Sequence, residues 1–147
     1  MFKHILIPTD GSETAAKAIQ AGVQLAAEMG AKVTGYHALE PVPIHLHGEG
    51  YITDKKMIDE FERRARDFAE RCVEQVAAAA RAARVKFEPL VVRSPVPYKG
   101  IVDAAASQDC DAIVMASHGH RGVTKLILGS VTQALLTHST IPVLVLR

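Results

Sequence analysis

The chain has no tryptophan, only 5% aromatic residues and only two cysteines among 147 residues. Two isolated thiols, Cys72 and Cys110, exclude a disulfide framework and a metal pair. Cys72 falls on a helical apolar stripe and Cys110 at a strand entrance, so both read as small core hydrophobes. Charge excess is also missing: 17 basic against 16 acidic residues leave a net +1. A general nucleic-acid binder would show a strongly basic face, so none is expected. No apolar run approaches the roughly 18 residues of a membrane span. Met1-Phe2-Lys3-His4 leads straight into a strand with no leader, which predicts a cytoplasmic protein with no membrane partner. The Gly-x4-Gly-Lys-Ser/Thr phosphate loop and the Ser-Gly-Gly-x-Asp-Ser loop of ATP pyrophosphatases are both absent.

What is present is an ordinary globular composition, 48% apolar and 22% charged, long enough for one domain over residues 1–147. His4 to Pro8 is a short continuous apolar run, the pattern of a strand buried on both faces. Thr9-Asp10-Gly11-Ser12 turns the chain, and either Asp10 with Glu13 or Ser12 alone can cap the next helix. Ala15, Ala18, Ile19, Gly22, Val23 and Ala26 share one face of that helix, with Gly30 as its C-terminal cap. Lys32 to Leu39 is a second strand, and Glu40 to Tyr51 a surface loop. A long helix is predicted from about Asp54 to Arg84, its core stripe running through Met57, Phe61, Ala65, Phe68, Cys72, Val76, Ala79 and Ala83. Strands follow at 85–92, 112–116 and 142–146, with a short helix opening at Pro97 and another over about 130–138. The alternation predicts a parallel sheet with helices on both faces. Ligands bind such sheets where the strand order reverses. The carboxyl ends rich in Gly, Ser, Thr and Asp are those of strands one and four. Setting those strands side by side gives the order 3-2-1-4-5.

The organising stretch is Val114-Met115-Ala116-Ser117-His118-Gly119-His120-Arg121-Gly122, continuing to Gly129-Ser130-Val131-Thr132. A strand, a glycine-containing loop and a helix N-terminus make an anion site, because unpaired first-turn amides point at an incoming oxygen. His118, His120, Arg121 and Lys125 add positive or donor character. The plain alternative is a βα loop with a capped helix, Asp10 serving only as a cap and the histidines as a solvated loop. His37 and the His45-x-His47 pair invite a metal reading, but without a carboxylate at fixed spacing no metal site is assigned. Asp109 and Asp111 fall at the amino end of their strand, so no paired acid and base lies at the ligand end and no catalytic residue is assigned.

The whole chain resembles the universal stress protein family. Ile5-Leu6-Ile7-Pro8-Thr9-Asp10-Gly11-Ser12 resembles its first strand and turn, and Gly129-Ser130-Val131-Thr132 with Ile141-Pro142-Val143-Leu144-Val145 its end. The family's ATP-binding members carry Gly-x2-Gly-x9-Gly-Ser/Thr; here Ala116, Gly119, Gly129 and Ser130 occupy those positions, so the first glycine is alanine. A positive φ at that position would strain Ala116 by about 1 kcal/mol or more, whereas a need only for smallness would cost little. The resemblance implies a three-layer sandwich of the adenine nucleotide alpha hydrolase type and a homodimer paired through residues 143–147, which would cover an apolar edge strand. It also implies ATP with Mg²⁺, held by Thr9 and Asp10, Ala38 and Leu39, Met115, Ala116, Ser117 and Gly119, and Gly129, Ser130, Val131 and Thr132. Pro8, Ala38 and Met115 offer apolar walls for a base, and His120 and Arg121 lie beside the phosphates. The function expected is a nucleotide-dependent stress regulator with at most slow hydrolysis. Two alternatives stay open: a nucleotide-free dimeric interaction module, and a flavodoxin-like FMN carrier.

Overall fold

The computed structural model of the chain describes residues 1–42, 54–119 and 128–147. Its elements are β1 (His4–Pro8), α1 (Glu13–Met29), β2 (Lys32–Leu39), α2 (Lys55–Ala82), β3 (Phe87–Arg93), α3 (Pro97–Ser107), β4 (Ala112–Ala116), α4 (Ser130–His138) and β5 (Val143–Leu146). All strand pairs are parallel and the order is β3-β2-β1-β4-β5, as the placement of strands one and four predicts. The fold is the expected α/β sandwich.

Side chains alternate across the sheet and build two cores. Ile5, Ile7, Val33 and Val114 pack with Ile19, Val23, Ala26 and Val76 beneath α1 and α2. Leu6, Tyr36, Ile113 and Met115 pack with Ile101, Ala104, Ala105 and Leu135 beneath α3 and α4. The buried face of α1 consists of the six residues its periodicity marks, and Gly30 ends it at φ 66°. Ser12 alone is the N-cap, its hydroxyl accepting from the Ala15 amide at 3.1 Å. Both thiols are buried, and burial pushes Cys72 up to about 11 and Cys110 up to about 12. Among the described residues no helix is long and apolar enough to cross a membrane.

Three expectations need correction. The α2 stripe is not core throughout: Ala69, Cys72, Val73, Val76, Ala77 and Ala80 are its buried residues, while Met57, Phe61 and Phe68 are 55%, 36% and 40% exposed. The cause is length. A helix of 28 residues spans about 42 Å, whereas the seven residues of β3 span about 23 Å. The first half of α2 therefore overhangs the carboxyl ends of the strands. β3 begins at Phe87 rather than residue 85, because Arg84 turns left-handed at φ 57° and the Val85 amide donates back to Ala80, closing α2. β5 begins at Val143, with Pro142 just outside it offering its carbonyl to the Ile113 amide. Most of the loop expected over Glu40 to Tyr51 lies outside the described residues.

Candidate functional site

The turn after β1 and the turn after β4 meet. β1 and β4 are neighbours, and their carboxyl ends diverge toward α1 on one side and α4 on the other. Asp10 bridges the two turns. One carboxylate oxygen accepts the Ser12 amide at 3.0 Å, and the other lies so close to Gly119 that a Cβ there would overlap it. Gly119 is thus required for space rather than for φ, which is not positive there. Gly11 carries the special conformation, φ 80°, and a Cβ on it would also meet the Cys72 sulfur at 2.9 Å. Gly11 is a shaping residue that sequence reasoning left inside a turn; its position between Asp10 and Ser12 was the available signal.

Around the β4 turn the main chain is tied on every side. The Ser117 amide donates to Leu146 at 2.7 Å and its carbonyl accepts from Gly129 at 2.8 Å. Thr132, buried in α4, donates its hydroxyl to the carbonyls of Ala116 and Ser117, both at 3.2 Å. Its hydroxyl therefore holds the turn. Gly129 is the N-cap of α4 and provides no side chain, so among the described residues no side-chain oxygen caps the first-turn amides. A Cβ at Gly129 would come within 3.1 Å of the Ser117 carbonyl. Ala116 closes β4 in extended conformation without positive φ, so alanine is unstrained there.

Two histidines stand at the same end. The His37 Nδ1 donates to the Thr9 carbonyl at 2.9 Å, and its ring meets Phe68 edge-on at 5.6 Å. His118 was not carried over from the family pattern, yet its Nδ1 lies 2.8 Å from the Ser117 hydroxyl. Its Nε2 is buried with no partner among the described residues. That orphaned nitrogen is the kind of group a ligand or ordered water satisfies.

The other expected residues fall into place as follows. Ala38 and Met115 belong to the core face beneath α3 and α4, and alternation puts Pro8 on that face too. Leu39 is buried toward α2, and its carbonyl already accepts from Ser94. Thr9 is buried, its hydroxyl accepting the Gly11 amide at 3.1 Å. Ser130 is exposed and Val131 half-buried at the start of α4. His120, Arg121 and Lys125, like His45 and His47, lie outside the described residues.

A five-stranded parallel sheet in the order β3-β2-β1-β4-β5, with helices on both faces, places the chain in the class of doubly wound α/β domains. The particular family follows from comparison. The universal stress protein family model matches residues 1–147. The chain is 33% identical to a universal stress protein of Thermus aquaticus, with all of both chains covered. It is 30% identical to universal stress protein MJ0577 of Methanocaldococcus jannaschii, covering 100% of this chain and 96% of the other. A solved structure of MJ0577 superposes with a TM-score of 0.83 over 99% of this chain and 96% of that one. A universal stress protein in complex with cAMP, 22% identical, gives 0.71 over 99% and 97%, a likeness of fold. The chain belongs to the universal stress protein family.

Proposed function

We propose that this chain is a nucleotide-dependent regulator of the stress response that binds ATP, with Mg²⁺ on its phosphates, across the carboxyl ends of β1 and β4. The observation that carries this reading is the first turn of α4, without a side-chain cap among the described residues, beside the Ser117–Gly119 turn, with Asp10 on the opposite bank. Main-chain amides of α4 would receive phosphate oxygens, the core-facing ends of β1, β2 and β4 would wall a base, and the His118 Nε2 would donate to or accept from the ligand. A relative of the same fold in complex with cAMP supports an adenine nucleotide as the class of ligand. When bound, Mg²⁺ would neutralise phosphate charge, with Asp10 the nearest carboxylate of the turn. Among the described residues Asp10 is the one carboxylate of the two turns, a set suited to binding, with at most slow hydrolysis.

Assembly follows from the sheet edge. β5 ends the sheet, and Leu144 on it is 46% exposed. Pairing residues 143–147 with their two-fold mates would cover that edge and give a cytoplasmic homodimer. Light scattering at micromolar protein should give twice the chain mass, and a monomer would refute the dimer. Calorimetric titration with Mg-ATP should show at least tenfold weaker binding for Gly129→Val, whose side chain crowds the Ser117 carbonyl. Equal affinity in both proteins would overturn the site.

A further inference from the structure

A second feature lies at the other end of the sheet. A shallow cavity of about 400 Å³ opens beneath the C-termini of α1 and α2, against the first residues of β1 and β2 and the turn before β3. That volume falls within the roughly 300–1,000 Å³ of small-ligand pockets. Four cationic side chains line it: Lys3, Lys32, Arg84 and Lys86, and no carboxylate does. Among the described residues only Lys32 of the four has an ion pair, an exposed one with Glu88 at 3.2 Å. Asp111 is the other nearby carboxylate, and it is engaged by the backbone amides of Lys3 and His4 at 2.8 and 3.0 Å.

Main-chain groups at the cavity are engaged as well. The Lys3 carbonyl accepts from Lys32 and the Lys86 carbonyl from Val33. The amides of Lys3, Lys32, Arg84 and Val85 donate to Asp111, Lys3, Arg81 and Ala80, so the side-chain donors facing a visitor are the ammonium groups and the guanidinium. Ala26 and Ala27 of α1, with Ala31 and Ala83 just past the ends of α1 and α2, form an apolar floor between them. Cations at helix C-termini have a simpler use, since they complement the helix dipoles. That use needs one charge in each last turn. None of the four lies in a last turn, where α1 has no basic residue and α2 has Arg81, yet all four line the same cavity. Four like charges around one small cavity repel each other, and a compact multivalent anion relieves that repulsion.

We propose that this amino-end cavity is a second binding site, for a compact anion bearing at least two phosphate groups, separate from the nucleotide site at the carboxyl end. The chemistry is shared by inorganic polyphosphate and by a small bisphosphorylated metabolite, the latter adding contact between its carbon skeleton and the alanine floor.

The test is an amide chemical-shift titration of the intact protein with inorganic tripolyphosphate at about 0.1 M salt, where screening removes contacts beyond about 10 Å. Saturable shifts are expected at residues 26–32 and 83–86. Arg84→Gly is the informative variant, because glycine is at ease in the left-handed conformation that Arg84 adopts. Combined with Lys86→Glu it should weaken binding at least tenfold while the fold is retained. Gly129→Val should leave these shifts unchanged, which separates this site from the nucleotide reading. A parallel titration with a hexose bisphosphate identifies the source: tighter binding than tripolyphosphate assigns a metabolite, weaker binding a free polyphosphate. Shifts confined to 117–119 and 129–132, or equal affinity in the double variant, would overturn the proposal.

Discussion

The two ends of the sheet treat buried polar groups differently. At the amino end, His4 and Thr34 are 3% and 0% exposed and satisfy one another, Nε2 to Oγ1, at 2.7 Å. In the carboxyl half, the Tyr36 hydroxyl and the His118 Nε2 are buried with no partner among the described residues. The Tyr36 oxygen presses so closely on α3 that a Cβ at Gly100 would overlap it. Burial with Asp103 nearby pushes its phenol up to about 12. Folding stability favours the arrangement at the amino end, since an unmade buried hydrogen bond costs about 1–3 kcal/mol. The carboxyl end tolerates that cost where the proposed site lies.

This contrast can be broken from either side. The largest effect is expected at Gly11→Ala, which forces a side chain into φ 80° and against the Cys72 sulfur. Strain and overpacking together should cost about 3 kcal/mol in urea denaturation, and Mg-ATP affinity should fall because Asp10 is carried by the same turn. A loss under about 1 kcal/mol would mean the turn re-forms freely. Next comes Thr34→Val, which strands the buried His4 ring and should cost about 1–3 kcal/mol. Burial, then Lys32, lower the His4 pKa below 6.5. The unfolded chain therefore takes up this proton first, so wild-type stability should fall as pH drops through about 6.5 and below. A His4→Gln variant should lose that part of the slope. The smallest change is Tyr36→Phe, which removes an unpaired hydroxyl and should leave stability equal or raise it by up to about 1 kcal/mol. A clear loss would show that the hydroxyl has a partner in solution.

Much of the fold was legible because it rests on periodicity and caps. The buried face of α1, its Gly30 stop and the strand order all follow from residue pattern. The α2 stripe misled because periodicity reports which side of a helix is apolar, not how far the sheet extends beneath it. Phe61 and Phe68 satisfy the spacing and are still exposed. At the site, the glycines were legible as types but their reasons were not. Nothing local says that Gly119 is needed for the Asp10 carboxylate, more than 100 residues away in sequence. The question left open at Ala116 resolves by conformation, because an extended strand end accepts alanine without strain.

Ser117 is a mooring whose two main-chain lines run to Leu146 on the outermost strand and to Gly129 at the head of α4. Neither line has slack at 2.7 and 2.8 Å. Any displacement of this turn is therefore felt at the rim of the sheet. A spectroscopic reporter on β5 would register events in the turn without touching it.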